Sequence, residues 1–217
     1  MIAGHHAALQ FRLPKNVFVL LLGIVWVFSV GFGFSKLYNY EYKFGTTGQL
    51  ATQWPSDSVI APRKNFFRLV MVAHPHCPCT KASIGELAMI MAKAQGKAEA
   101  YVLFIQPKEF DRSWVESDLF KSAAQIPGVQ AIVDHDGVQA GLFGGTTSGQ
   151  TFLYDQKGRL VFMGGITASR GHSGDNKGRA NVIALVNGYK VDDHTTPFFG
   201  CLLKSGSKNQ IARTKGN

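Results

Sequence analysis

Several things are scarce or missing in these 217 residues, and each absence narrows the reading. There are only three cysteines, and no paired-cysteine, paired-histidine spacing of a structural zinc site accompanies them. Basic residues outnumber acidic ones, 23 to 14, yet no dense Lys/Arg run interleaves with aromatics, so nucleic-acid binding has no motif behind it. No internal repeat or low-complexity block is visible. Basic residues without acidic neighbours gather at 204–217, where Lys204, Lys208, Arg213 and Lys215 read as a solvated, mobile tail. His5, His6, His135 and His194 have no partner at a recognisable spacing and are assigned no role.

Charge is also absent from Val17 to Phe34, eighteen residues in all. As a helix this run spans roughly 27 Å, close to the hydrocarbon core of a bilayer. Arg12 and Lys15 precede it and Lys36 follows, so the slight positive bias places the N-terminus in the cytoplasm. No Ala-x-Ala cleavage signal follows, which favours an uncleaved anchor over a signal peptide. The expected organisation is a cytoplasmic N-terminus and transmembrane anchor over 1–36, a linker over 37–64, a folded domain over 65–203 and the tail over 204–217. The domain would lie outside the cytoplasm, where disulfides persist.

From Asn65 onward, strand and helix signals alternate. Phe66–Ala73, Ala100–Ile105 and Val129–Val133 are short apolar runs of the kind buried in parallel sheets. Thr80–Gln95 carries Ile84, Leu87, Ala88 and Met91 on one helical stripe, with Gly96 as a stop. Ser113 and Glu116 have capping-box spacing at the start of a helix running to about Gln125. Asp136–Phe143 predicts a short helix, and Gln150–Asp155 and Arg159–Met163 predict a hairpin turning at Gln156-Lys157-Gly158. A last helix covers Arg179–Asn187. The order βαβαβαββα implies a layered α/β domain with a mixed central sheet.

The chemistry concentrates in His74-Pro75-His76-Cys77-Pro78-Cys79, between the first strand and the first long helix of that domain. A cysteine at a helix N-terminus has its thiolate stabilised by free N–H groups and the macrodipole. Pro78 suits the first helical position because its missing N–H would be unpaired there anyway. His74 and His76 can add positive charge or accept the thiol proton. Two cysteines one residue apart close only a tight ring, which makes their disulfide easy to reduce. A second constellation, Gly164–Asn176, brings Arg170, His172, Asp175 and Asn176 together in a polar loop. Arg170 beside the thiols would lower their pKa, and the loop is otherwise an ordinary surface connection. Cys201, in an apolar patch, is a third thiol with three open readings: inert, an exchange partner for the pair, or a further sulfur ligand.

The strand, the cysteine pair opening a helix, and the hairpin Thr151-Phe152-Leu153-Tyr154-Asp155-Gln156-Lys157-Gly158-Arg159-Leu160-Val161 together resemble the thioredoxin-like superfamily. The nearest branch is the membrane-tethered one of cytochrome maturation and the peroxiredoxins. With its HPHCPC and RGHSGDN segments the chain also resembles the bacterial RedB proteins. That resemblance implies a thioredoxin-like three-layer domain behind one membrane anchor, in the bacterial inner membrane and facing the periplasm. It implies a thiol–disulfide oxidoreductase for exported thiol or disulfide proteins, with Cys77 the nucleophile, Cys79 the resolving thiol and no cofactor. The chain departs from the superfamily in its one-residue cysteine spacing and in having Gly149 where a cis-proline is usual. Those departures leave two alternatives: a copper(I)-handling module with Cys77, Cys79 and His172 as ligands, or a redox-inactive subunit of a membrane complex.

Overall fold

The computed structural model describes residues 14–203, so the basic tail and the pair His5 and His6 lie outside the described residues. The chain divides into two units, Met1–Glu41 and Tyr42–Asn217. The first contains helix α1, Lys15–Glu41, with a mean hydropathy of 2.5 over its most apolar stretch. Pro14 opens it, its carbonyl accepting from the N–H groups of Val17 and Phe18. Among the described residues α1 is the one helix long and apolar enough to cross a membrane. At about 40 Å it exceeds the apolar run, continuing through residues 37–41 that were expected in a linker.

The second unit is built on five strands: β1 Phe67–Ala73, β2 Ala98–Gln106, β3 Val129–His135, β4 Gln150–Tyr154 and β5 Leu160–Gly165. Their order is β3-β2-β1-β4-β5. β1, β2 and β3 pair in parallel, and β4 and β5 run antiparallel to their neighbours. This is the mixed sheet of the thioredoxin-like fold. Asp155 shapes the β4–β5 turn, its carboxylate accepting from the N–H groups of Lys157 and Arg159.

One face of the sheet is covered by helices α2 (Pro78–Ala94), α4 (Asp118–Ala124) and α6 (Lys177–Val186). Leu69, Met71, Val102, Phe104 and Leu153 meet the α2 stripe of Ile84, Leu87, Ile90 and Met91 there. The helix expected from Ser113 to Gln125 is two helices, α3 (Arg112–Val115) and α4, with a break at Glu116-Ser117. The capping box does not form. Asp111 caps α3, accepting from Trp114 N–H, while Glu116 pairs with Arg112 and Ser117 caps α4.

The opposite face carries Val70, Val72, Tyr101, Leu103, Phe152 and Tyr154, covered by helix α5 (Val138–Phe143) and by chain without regular structure. Residues 42–64, expected as a linker, supply much of that cover. Trp54 sets its ring edge-on against Phe143 and Tyr154 at centroid distances of 5.1 and 5.4 Å. Ile60 is buried, Tyr154 donates its hydroxyl to the Ala51 carbonyl, and buried Glu99 accepts from both the backbone and the guanidinium of Arg63. Isolated anchors and backbone pairing hold this strap, so it has no period for sequence reasoning to detect.

Candidate functional site

β1 runs out at Ala73 in the middle of the sheet, and the chain turns through His74–His76 into α2. Cys77 is the N-cap residue of α2, with extended backbone (φ −89°, ψ 122°) and Pro78 directly behind it. The turn is pinned by a short polar set. Ser148 Oγ accepts the His74 N–H at 2.9 Å and lies 2.7 Å from Thr80 Oγ1, which itself donates to the His74 carbonyl. Neither Ser148 nor Thr80 was singled out from the sequence. Each adjoins a residue that was, Gly149 and Cys79, and that adjacency was the available signal.

Gly149 sits at the start of β4, its N–H donating to the Val72 carbonyl at 2.8 Å. Its φ is +87°, and a Cβ there would lie 2.9 Å from Ser83 Oγ, so the position is conformationally and sterically restricted to glycine. The residues just before it receive the C-terminal strap of the domain. Ser148 N–H donates to the Cys201 carbonyl, Leu203 N–H donates to the Thr146 carbonyl, and Thr147 bridges Leu202 in antiparallel fashion. A Cβ on Gly200 would lie 1.9 Å from the Ser148 carbonyl oxygen, so only glycine allows this approach.

The strap delivers Cys201 to the helix start, with its Sγ 2.8 Å from Cys77 Sγ. All three cysteines are free thiols gathered at one place. Cys77 is 1% exposed and Cys79 5%, whereas Cys201 is partly exposed. Their protonation is strongly interdependent. Hydrogen bonding from the Cys79 thiol, and then from the Cys201 thiol and the backbone N–H groups of both, lowers the Cys77 pKa to about 4 against the effect of burial. Cys79 is pushed up, first by donating to Cys77 and then by burial and by the Cys77 charge. Cys201 is raised to about 11, first by burial and then by its own bond to Cys77. The cluster thus favours the anion on Cys77 and the protonated thiol on Cys79 and Cys201.

The surrounding residues divide by reach. Arg170 lies near enough to favour the anionic forms of Cys79 and Cys201. His74 has its pKa lowered by burial, a trend the Cys77 charge opposes, so it is a neutral neighbour at pH 7. His76 is exposed, with Nε2 2.8 Å from the Trp114 carbonyl and its ring 4.8 Å from the Trp114 ring. Phe110 stacks on the far side of Trp114 at 4.5 Å, so an aromatic surface flanks the motif. The other expected loop residues face elsewhere. His172 Nδ1 is 2.9 Å from both Ser169 Oγ and the Arg170 carbonyl. Asp175 pairs with Arg179, which also binds buried Glu86 of α2 at 2.5 Å. Among the described residues no three His, Cys, Asp or Glu side chains are arranged to hold a metal ion, so Cys77, Cys79 and His172 are not brought together as ligands.

No protein-family model matches this chain, and no curated protein matches it. Solved structures do. A hypothetical protein of Sinorhizobium meliloti 1021 is similar with a TM-score of 0.56 at 18% identity, over 74% of this chain and 98% of that one. An uncharacterized conserved protein of Geobacillus kaustophilus gives 0.55 at 18% identity, over 76% and 95%. The dsbF protein of Mycobacterium tuberculosis, solved in mixed oxidized and reduced forms, gives 0.41 at 11% identity, over 57% and 82%. What this chain has in common with the first two is the fold.

Proposed function

We propose that this chain is a membrane-tethered, thioredoxin-like thiol–disulfide oxidoreductase working at Cys77-Pro78-Cys79 on exported thiol or disulfide proteins. The observation that carries the reading is Cys77 itself, an N-cap cysteine on α2 whose Sγ lies 2.8 Å from Cys201 Sγ and whose pKa is lowered to about 4 among the neighbouring thiols. Such a sulfur is an anion at neutral pH, a good leaving group and a nucleophile. In the reducing direction the Cys77 thiolate attacks a substrate disulfide and expels one substrate thiolate. A second thiol of the site then loses its proton and attacks the Cys77 sulfur, releasing the other substrate thiolate and leaving a disulfide in the enzyme. The oxidising direction is the reverse, and the substrate is the oxidant or reductant in each case. Helix α1 supports tethering to the bacterial inner membrane with the domain in the periplasm, the organisation of the RedB-type proteins the sequence resembles.

Insulin reduction by the full chain in detergent tests this. Cys77→Ser is expected to abolish the activity, and full activity in that variant overturns the proposal. The copper(I) alternative keeps the sulfurs but not the histidine, because among the described residues Cys77, Cys79 and His172 are not grouped as a metal site.

A further inference from the structure

The site holds three thiols, and two of them can close a disulfide with Cys77. Cys79 is fixed two residues along the chain, where a disulfide would have to close a tight eleven-membered ring. Cys201 comes from 124 residues away on an independent segment, and its sulfur is 2.8 Å from Cys77 Sγ. That separation is well inside van der Waals contact and under an ångström from the covalent S–S length of about 2.05 Å. The strap is aligned by backbone pairing on either side of Cys201 and by the contact that only Gly200 permits. Accessibility adds an ordering, since Cys77 and Cys79 are buried and Cys201 is the partly exposed residue of the three.

We infer that the redox couple of this site is Cys77–Cys201, with Cys201 the thiol that meets the substrate and Cys79 outside the exchanging pair. This rests on the oxidoreductase reading, and it moves the first exchange with substrate from Cys77 to Cys201. In the oxidised protein a substrate thiolate attacks Cys201 Sγ. The Cys77–Cys201 bond breaks, and its electron pair stays on Cys77. The product is a mixed disulfide on Cys201. A second substrate thiol, giving up its proton, attacks the substrate sulfur of that bond and releases Cys201, which takes up a proton. The substrate dithiol has become a disulfide and the enzyme disulfide a dithiol. Run backward, the same steps reduce a substrate disulfide. Exchange at Cys201 expels the better leaving group, because the leaving thiol with the lower pKa departs faster.

Disulfide mapping on the full chain in detergent decides the matter. The protein is equilibrated with oxidised glutathione, free thiols are blocked with iodoacetamide, and trypsin is applied without reductant. Cys77 and Cys79 fall in the peptide 69–81 and Cys201 in 191–204. The expected product joins the two peptides, with the alkyl group on Cys79 located by fragmentation at Pro78. A disulfide within 69–81, with Cys201 alkylated, overturns this inference and leaves dithiol exchange standing. No disulfide at any glutathione ratio overturns both. In Cys77→Ala the glutathione adduct is expected on Cys201, and an adduct on Cys79 with Cys201 alkylated overturns the assignment of Cys201 as the substrate-facing thiol.

Discussion

The backbone N–H of Ser148 donates to the Cys201 carbonyl at 2.8 Å, while the Ser148 hydroxyl accepts from His74 at the other side of the same residue. Ser148 therefore fixes both the turn that carries Cys77 and the strap that carries Cys201.

Gly200→Ala tests that clamp. A methyl group 1.9 Å from the Ser148 carbonyl oxygen cannot be accommodated, so the strap must shift. The expected cost is about 1–3 kcal/mol, as for other overpacked sites. Thermal unfolding should show the loss, and alkylation of Cys201 should become faster as the strap leaves its seat.

The thiol cluster fixes a pH dependence. The Cys77 thiolate, followed by its ultraviolet absorbance, is expected to persist far below the ordinary value of 9.0 and to disappear near pH 4. Its contribution to stability is present above 9.0 and is lost as pH falls through about 4. Cys201 acts in the opposite sense, contributing below 9.0 and losing that contribution as pH rises through about 11. Cys79→Ala should move the Cys77 titration upward more than Cys201→Ala, because the Cys79 bond is the largest cause of the depression.

Glu86 is 3% exposed and binds Arg179, the Gly174 N–H and the Asn176 side chain, joining α2 to the loop that carries Arg170. Glu86→Ala leaves the largely buried Arg179 guanidinium with only the exposed Asp175 as an ion partner. A loss of about 3 kcal/mol is expected in denaturant unfolding. The double change Glu86→Leu, Arg179→Met should recover part of it, since no charge is then stranded.

Trp54→Ala examines whether residues 42–64 belong to the domain. Removing a ring packed against Tyr101, Phe143 and Tyr154 should cost about 2–3 kcal/mol, below the full range because Trp54 is only partly buried. A tether that merely connects two units would tolerate the change without effect on the melting temperature.

Elements with a period were legible in the sequence, and elements without one were not. β1, β2 and the α2 stripe are continuous or periodic apolar signals, so Leu69–Ala73 and Ile84–Met91 announced the sheet and its helix layer. The break between α3 and α4 was hidden because Ser113 and Glu116 fit a capping box, while Asp111 was the stronger N-cap acceptor. The N-cap position of Cys77 follows from a strand-to-helix turn visible in sequence. The arrival of Cys201 does not, because it depends on a strap paired across about fifty residues to Thr146–Ser148. His172 and Asp175 lie near the motif in composition only, and their side chains are taken up by local partners.

The distance along the chain between Cys77 and Cys201 also imposes an order of assembly. At typical synthesis rates the CxC pair precedes Cys201 by roughly 6–25 s. During that interval Cys77 has one neighbouring thiol available, and the contact with Cys201 cannot exist. The site is completed by the last segment of the domain to be made, so a nascent chain presents different thiol chemistry from the finished fold.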